Sequence, residues 1–104
     1  MSEEKDKLKI TVLKVFKPEE VFKDPPIKTK EPYPCPVHKE GQTILVEGYN
    51  QPEGICGFAW NVIWPFAMML LNNGDFNWYY EKPGTLVASC PDGLRPVIFK
   101  IERL

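Results

Sequence analysis

From Ile55 to Leu71 every residue except Gly57, Asn61 and Pro65 is apolar, and no other stretch constrains the fold of this chain as strongly. Its length and its Leu, Met and Ala content favour a helix over a strand. Pro65 falls in the middle, where a proline donates no backbone hydrogen bond and clashes with the carbonyl four residues earlier. The segment therefore reads as one kinked rod or as two pieces, roughly 55–63 and 65–72, ended by Asn72-Asn73-Gly74. With a central proline it falls short of the about 20 apolar residues that a membrane span takes. A helix apolar on all sides needs covering on more than one of them, and a single sheet covers only one.

The flanking segments supply that sheet. Leu8 to Phe16 and Gln42 to Glu47 carry the β-branched and alternating apolar pattern of strands with one buried face. Thr85 to Ser89 and Pro96 to Arg103 read as an antiparallel pair joined through Cys90-Pro91-Asp92-Gly93-Leu94-Arg95, whose proline, aspartate and glycine suit a turn. Pro18-Glu19-Glu20 begins a short helix, with proline in its first turn and acids at its positive end. Between them, residues 24–41 hold Pro25, Pro26, Pro32, Pro34 and Pro36, each removing a backbone donor and pushing its predecessor towards extended geometry, so this stretch is a loop. The expected fold is α+β: a mainly antiparallel sheet of about four strands packed against one apolar helix that Pro65 kinks or breaks. At 104 residues the chain holds one core, so residues 1–104 form a single domain with a charged N-terminal extension over 1–7.

Thirteen basic residues oppose fourteen acidic ones, which leaves no long-range field to draw the chain onto nucleic acid or an anionic membrane. The start, Met1-Ser2-Glu3-Glu4-Lys5-Asp6-Lys7, lacks the apolar run of a secretory signal, and three cysteines are an odd number for a disulfide framework. Both features point to a cytoplasmic protein.

Those three cysteines each stand beside turn-forming residues, and ligating or reactive thiols tend to sit at such element ends. Cys35 and His38 form a C-x-x-H pair, which Cys56 and Cys90 would complete as a zinc or iron site if the fold brought them together. A structural metal site commonly uses two close ligand pairs, and here there is one. Cys56 falls at the start of the apolar helix, where unpaired amides favour a thiolate, but it better suits a small residue tucked under the first turn. An enzyme using Cys56 or Cys90 as nucleophile would take His38, the one histidine, as the base of a Cys-His dyad, or a general acid or base from Asp75, Glu81 or Asp92, each in a turn where a carboxylate commonly caps or is solvated. Followed by Lys39-Glu40-Gly41, His38 reads as part of a solvent-exposed turn. No phosphate-binding loop or dinucleotide fingerprint is present.

The aromatic content bears on partners. Trp60, Trp64, Phe66 and Trp78, with Phe76, Tyr79 and Tyr80 close by, supply more apolar surface than one sheet covers, and a second copy of the chain is the natural cover. Trp60, Trp64, Phe66 and Trp78 are the expected interface of a homo-oligomer, with a ligand pocket walled by the same rings as the rival use.

Lys9-Ile10-Thr11-Val12-Leu13-Lys14, Cys35-Pro36 followed by Gly41, Pro52-Glu53-Gly54-Ile55-Cys56, Asn73-Gly74 leading to Trp78, and Cys90-Pro91-Asp92-Gly93-Leu94-Arg95-Pro96-Val97 through Arg103 span nearly the whole chain. Together they resemble a family of small, uncharacterised prokaryotic proteins of about this length. The resemblance implies a single-domain cytoplasmic protein of bacterial or archaeal origin and carries no activity with it. The expected function is that of a small cysteine-containing binding or accessory protein, homo-oligomeric, with a thiol or metal site at Cys35, Cys56 and Cys90 and His38 at its periphery. The alternative is the cysteine enzyme.

Overall fold

The computed structural model describes residues 7–104. Most of the charged extension expected over 1–7 thus lies outside the described residues. Strand β1 (Lys7–Val15) leads into a single turn of helix, α1 (Pro18–Val21), and the proline-rich loop then runs to β2 (Thr43–Glu47). Helix α2 (Gly57–Leu71) follows, then β3 (Thr85–Ser89) and β4 (Val97–Arg103). All pairings are antiparallel, in the order β2-β1-β4-β3, so the expected α+β fold with a four-stranded sheet is the observed one.

Strand alternation decides which face is buried. Leu8, Ile10 and Val12 of β1, Ile44 and Val46 of β2, Leu86 of β3, and Val97, Phe99 and Ile101 of β4 all point into the core. Their neighbours form the opposite face, where Lys9 stands between Leu45 and Glu102 and Thr11 between Thr43 and Lys100. Such polar and opposite-charge cross-strand pairs let this face meet water without a second layer. A register shift between Val12 and Lys14 puts the extra residue, Leu13, at the surface.

Because β2 and β3 lie at opposite edges, the connection between them carries α2 across the buried face, where it contacts β1, β3 and β4. Ala59, Trp60, Ile63, Ala67, Leu70 and Leu71 recur at helical spacing and meet the sheet. The helix begins two residues later than the hydrophobic run and stays a single helix through Pro65, so it is not broken. Pro65 and Asn61, four residues before it, are both exposed, so the carbonyl that loses its helical donor faces water.

The C-terminal stop is a reciprocal pair of hydrogen bonds, Asn73 N–H to Leu70 O and Gly74 N–H to Met69 O, with Asn73 at φ 64°. Glycine is required at the next position because a Cβ on Gly74 would sit 2.9 Å from the Met69 carbonyl oxygen. Arg103, at the end of β4, closes the same helix end: its guanidinium donates to Leu70 O and Gly74 O, both at 2.9 Å, and to Asp75 Oδ2 at 3.0 Å. Asp75 Oδ1 in turn accepts the Gly84 N–H. At the outer edge of the sheet, the Tyr80 hydroxyl donates to Val87 O and accepts from Val87 N–H, occupying both outward backbone groups of that residue. An edge strand is thereby closed to further pairing at its centre.

Candidate functional site

The end of the sheet opposite the Arg103 cluster is built from three chain segments that the sequence keeps far apart. The proline loop brings Cys35, Pro36, Val37 and His38; the start of α2 brings Cys56, Phe58 and Ala59; the β3–β4 turn brings Cys90, Pro91 and Asp92. Together they enclose a cleft of about 550 Å³ whose walls are mainly apolar. All three cysteines and the single histidine therefore line one space. The cysteines are unpaired and half-buried.

Each thiol is positioned by its backbone. Cys56 is the N-cap residue of α2, with extended geometry (φ −63°, ψ 137°), and its carbonyl accepts the Trp60 N–H. Its side chain makes no capping bond, so the sulfur is left to the cleft. Cys90 follows β3 directly and pairs with Val97: Cys90 N–H donates to Val97 O at 3.0 Å, and Val97 N–H donates to Cys90 Sγ at 3.3 Å. Cys35 sits between Pro34 and Pro36, in a stretch that regular hydrogen bonding cannot shape.

His38 is not in an exposed turn as its neighbours suggest. Lys39, Glu40 and Gly41 are exposed, whereas His38 is 3% exposed and its ring meets Phe99 edge-on with centroids 5.2 Å apart. Cys56 N–H donates to Nε2 at 3.2 Å, which places the proton on Nδ1, and Nδ1 donates to Gln42 Oε1 at 2.9 Å. Both ring nitrogens are thus engaged. His38 fastens the proline loop to the start of α2, and neither nitrogen is free to act as a metal ligand or as a base for a thiol.

No group of three or more His, Cys, Asp or Glu side chains among the described residues is close enough together to hold a metal ion. Cys35, Cys56 and Cys90 share a cleft without forming the zinc or iron ligand set that their convergence would allow. A C-x-x-H spacing gives ligands only if the imidazole keeps a nitrogen free, and here both His38 nitrogens are bonded, to Cys56 N–H and to Gln42.

Arg95 is the residue that sequence reasoning missed. Its Nη1 donates to Tyr33 O at 3.0 Å, its Nη2 lies 3.5 Å from Glu31 Oε1, its Nε lies 3.8 Å from Asp92 Oδ2, and the guanidinium stands over the Tyr33 ring at 5.8 Å. The β3–β4 turn is thereby joined to the proline loop across the rim. Asp92 holds the turn itself, Oδ1 accepting the N–H groups of Leu94 and Arg95. Burial acts upward on the Asp92 carboxyl, but those two N–H groups and the Arg95 guanidinium outweigh it and keep the pKa below the ordinary value of 3.8. The available signal was Arg95 itself, an arginine fixed beside a tight turn, with nothing nearby in sequence to pair with except Asp92.

Of the four expected interface aromatics, Trp60 is 7% exposed and belongs to the core of its own chain, and Phe66 is half-buried. Trp64 is 46% exposed and Trp78 is 78% exposed. Phe66, Phe76, Trp78, Tyr79 and Tyr80 form a continuous series of ring contacts running from α2 towards the edge of β3. No helix among the described residues is long and apolar enough to cross a membrane.

Comparison with protein-family models, curated proteins and solved structures found no match, so the reading of the cleft rests on its geometry.

Proposed function

We propose that this chain is a small cytoplasmic binding protein that takes a neutral, largely apolar molecule into the thiol-lined cleft. The observation that carries this reading is the gathering of Cys35, Cys56 and Cys90 around one cleft of about 550 Å³. That volume falls within the range of about 300–1,000 Å³ usual for small-molecule sites, and apolar walls with few polar groups are their common composition. The charge at the rim selects against anions: among the described residues the one cation of the lining, Arg95, is already committed to Glu31, Asp92 and the Tyr33 carbonyl. Soft, polarisable sulfur atoms in the walls favour dispersion contacts with an aromatic or unsaturated ligand. Three thiols without a partner disulfide suit a reducing compartment. The alternative of a cysteine enzyme is the weaker reading, because the single imidazole is held by Cys56 N–H and Gln42, and Asp92, the candidate carboxylate that lines the cleft, is engaged by the Leu94 and Arg95 N–H groups.

The self-association that goes with this reading uses a second copy of the chain. Its surface is the outward side of α2 at Trp64 and Pro65 with the exposed rings of Trp78 and Tyr79, and Trp60 takes no part. Trp78 and Tyr79 are 78% and 70% exposed and their rings touch, so they present one contiguous apolar surface that a second copy could cover.

N-Phenyl-1-naphthylamine, a neutral fluorescent aromatic amine, is a suitable probe. Wild-type protein should bind it saturably with one site per chain, and Val37→Trp, which fills the cleft from its exposed wall, should weaken binding about tenfold or more, equivalent to about 1.4 kcal/mol. Equal binding by wild type and Val37→Trp would place the probe elsewhere and remove the reading.

A further inference from the structure

The wall of the cleft formed by the proline loop is attached differently from the other two. Among the described residues, no backbone–backbone hydrogen bond involves residues 23–38, whereas α2 and the β3–β4 turn are held by helical and ladder bonds. The Thr29 hydroxyl bonds the Glu31 carbonyl, a contact within the loop that ties it to nothing else. Among the described residues, two side chains make its polar attachments to the rest of the molecule. His38 anchors the end next to β2, buried against Phe99 and bonded to Cys56 N–H. Arg95 holds the far end, through Tyr33 O and Glu31.

These two anchors differ in strength. His38 is enclosed, so releasing it would expose a buried ring and strip the part-buried Cys56 N–H of its acceptor. The Arg95 latch is open to solvent on one side: the Arg95 side chain is 16% exposed but that of Glu31 is 55% exposed, and water and salt compete for this ion pair. Between the anchors, Pro32, Pro34 and Pro36 alternate with Tyr33 and Cys35, and their fixed φ angles stiffen this stretch. A stiff segment tied firmly at one end and loosely at the other swings as a unit.

We propose that residues 31–37 are a flap over the thiol cleft, hinged next to His38 and latched by Arg95. Closed, the flap brings Cys35 and Val37 over Cys56 and Cys90. Open, it carries Cys35 away and admits the ligand. Entry is thereby regulated by a salt-sensitive latch on the β3–β4 turn. This inference rests on the reading of the cleft as the ligand site, and its test does not use ligand binding.

The test measures the reaction of each cysteine with 4,4′-dithiodipyridine, a small neutral thiol reagent, with the modified residues assigned by mass spectrometry. In Arg95→Gln, labelling of Cys56 and Cys90 should accelerate about tenfold over wild type, with the near-ultraviolet circular dichroism of the core tryptophan retained. Glu31→Gln, which removes only the exposed half of the latch, should accelerate it by a smaller factor, and 1 M sodium chloride should do the same for wild type. If Arg95→Gln does not fold, Glu31→Gln and the salt series decide. Wild-type labelling rates in folded Arg95→Gln, or in both Glu31→Gln and high salt, would overturn the latch. Naphthylamine binding with unchanged labelling would remove the latch alone, and faster labelling in a protein that binds no naphthylamine would remove the ligand reading alone.

Discussion

His38→Ala should lower the stability of the protein by about 3 kcal/mol, which for a domain of this size moves Tm down by about 15 °C. Three losses add. The Cys56 N–H at the start of α2 is left without its acceptor, at about 1–3 kcal/mol. The edge-on contact with Phe99 goes, worth about 0.5–1.5 kcal/mol beyond its area. A cavity also opens where the ring stood, against a phenylalanine that is itself wholly buried. His38→Phe separates the terms, since a phenyl ring keeps the packing and loses only the hydrogen bonds; it should cost about 1–2 kcal/mol. Urea denaturation of both variants checks the order. A cost for His38→Ala within about 0.5 kcal/mol of zero, the range of ordinary surface substitutions, would show that the histidine is not the anchor described above.

The second large effect belongs to the opposite end of the sheet. Arg103→Ala should cost about 3 kcal/mol, carried by the two charge-assisted hydrogen bonds to the Leu70 and Gly74 carbonyls at the end of α2. Arg103→Lys should recover only part of that loss, because an ammonium cannot reproduce the planar fork that reaches two carbonyls and the Asp75 carboxylate together. The same cluster responds to acid. The Gly84 N–H first, and then the Arg103 hydrogen bond, hold the Asp75 carboxyl below its ordinary pKa of 3.8, against a smaller opposing effect of burial. A carboxyl lowered on folding contributes stability that is fully present above its unfolded value and is lost as pH falls through the native one. Wild type should therefore lose stability below about pH 4, with Asp92 adding to the same limb. Asp75→Asn and Arg103→Ala should both show a shallower decline there, read from urea midpoints taken across that range.

Much of the fold was legible before any coordinates. The strands announce themselves because one buried face imposes a period of two, as in Val97, Phe99 and Ile101, and the helix because no strand of a small sheet runs as long as Ile55 to Leu71. Asn72-Asn73-Gly74 marks its stop because the backbone there needs a residue tolerant of positive φ and then one without a Cβ. The persistence of the helix through Pro65 was less legible. It depends on Asn61 facing water, a fact about the helix's orientation on the sheet that no local pattern encodes.

The site was legible in its parts and not in its assembly. Each cysteine stood at the end of an element, and element ends are where a cleft can form. Their meeting depends on α2 crossing the sheet so that its start lies near the end of β3. His38 was misread because its neighbours Lys39, Glu40 and Gly41 are turn residues and its true partner, Phe99, lies on the last strand. Arg95 and Tyr33 are likewise joined only by the tertiary fold. Such contacts leave no periodicity behind them, and the same holds for Trp60, indistinguishable by composition from the exposed Trp64 four residues on.

The central claim is that three thiols share a single cleft that accepts an apolar molecule. Its most direct test is the rate at which N-ethylmaleimide alkylates Cys35, Cys56 and Cys90, resolved residue by residue by mass spectrometry, with and without saturating N-phenyl-1-naphthylamine. The account predicts that the bound amine slows all three reactions together and to a similar degree. Saturable binding that leaves all three rates unchanged, or that slows only one of them, would contradict it.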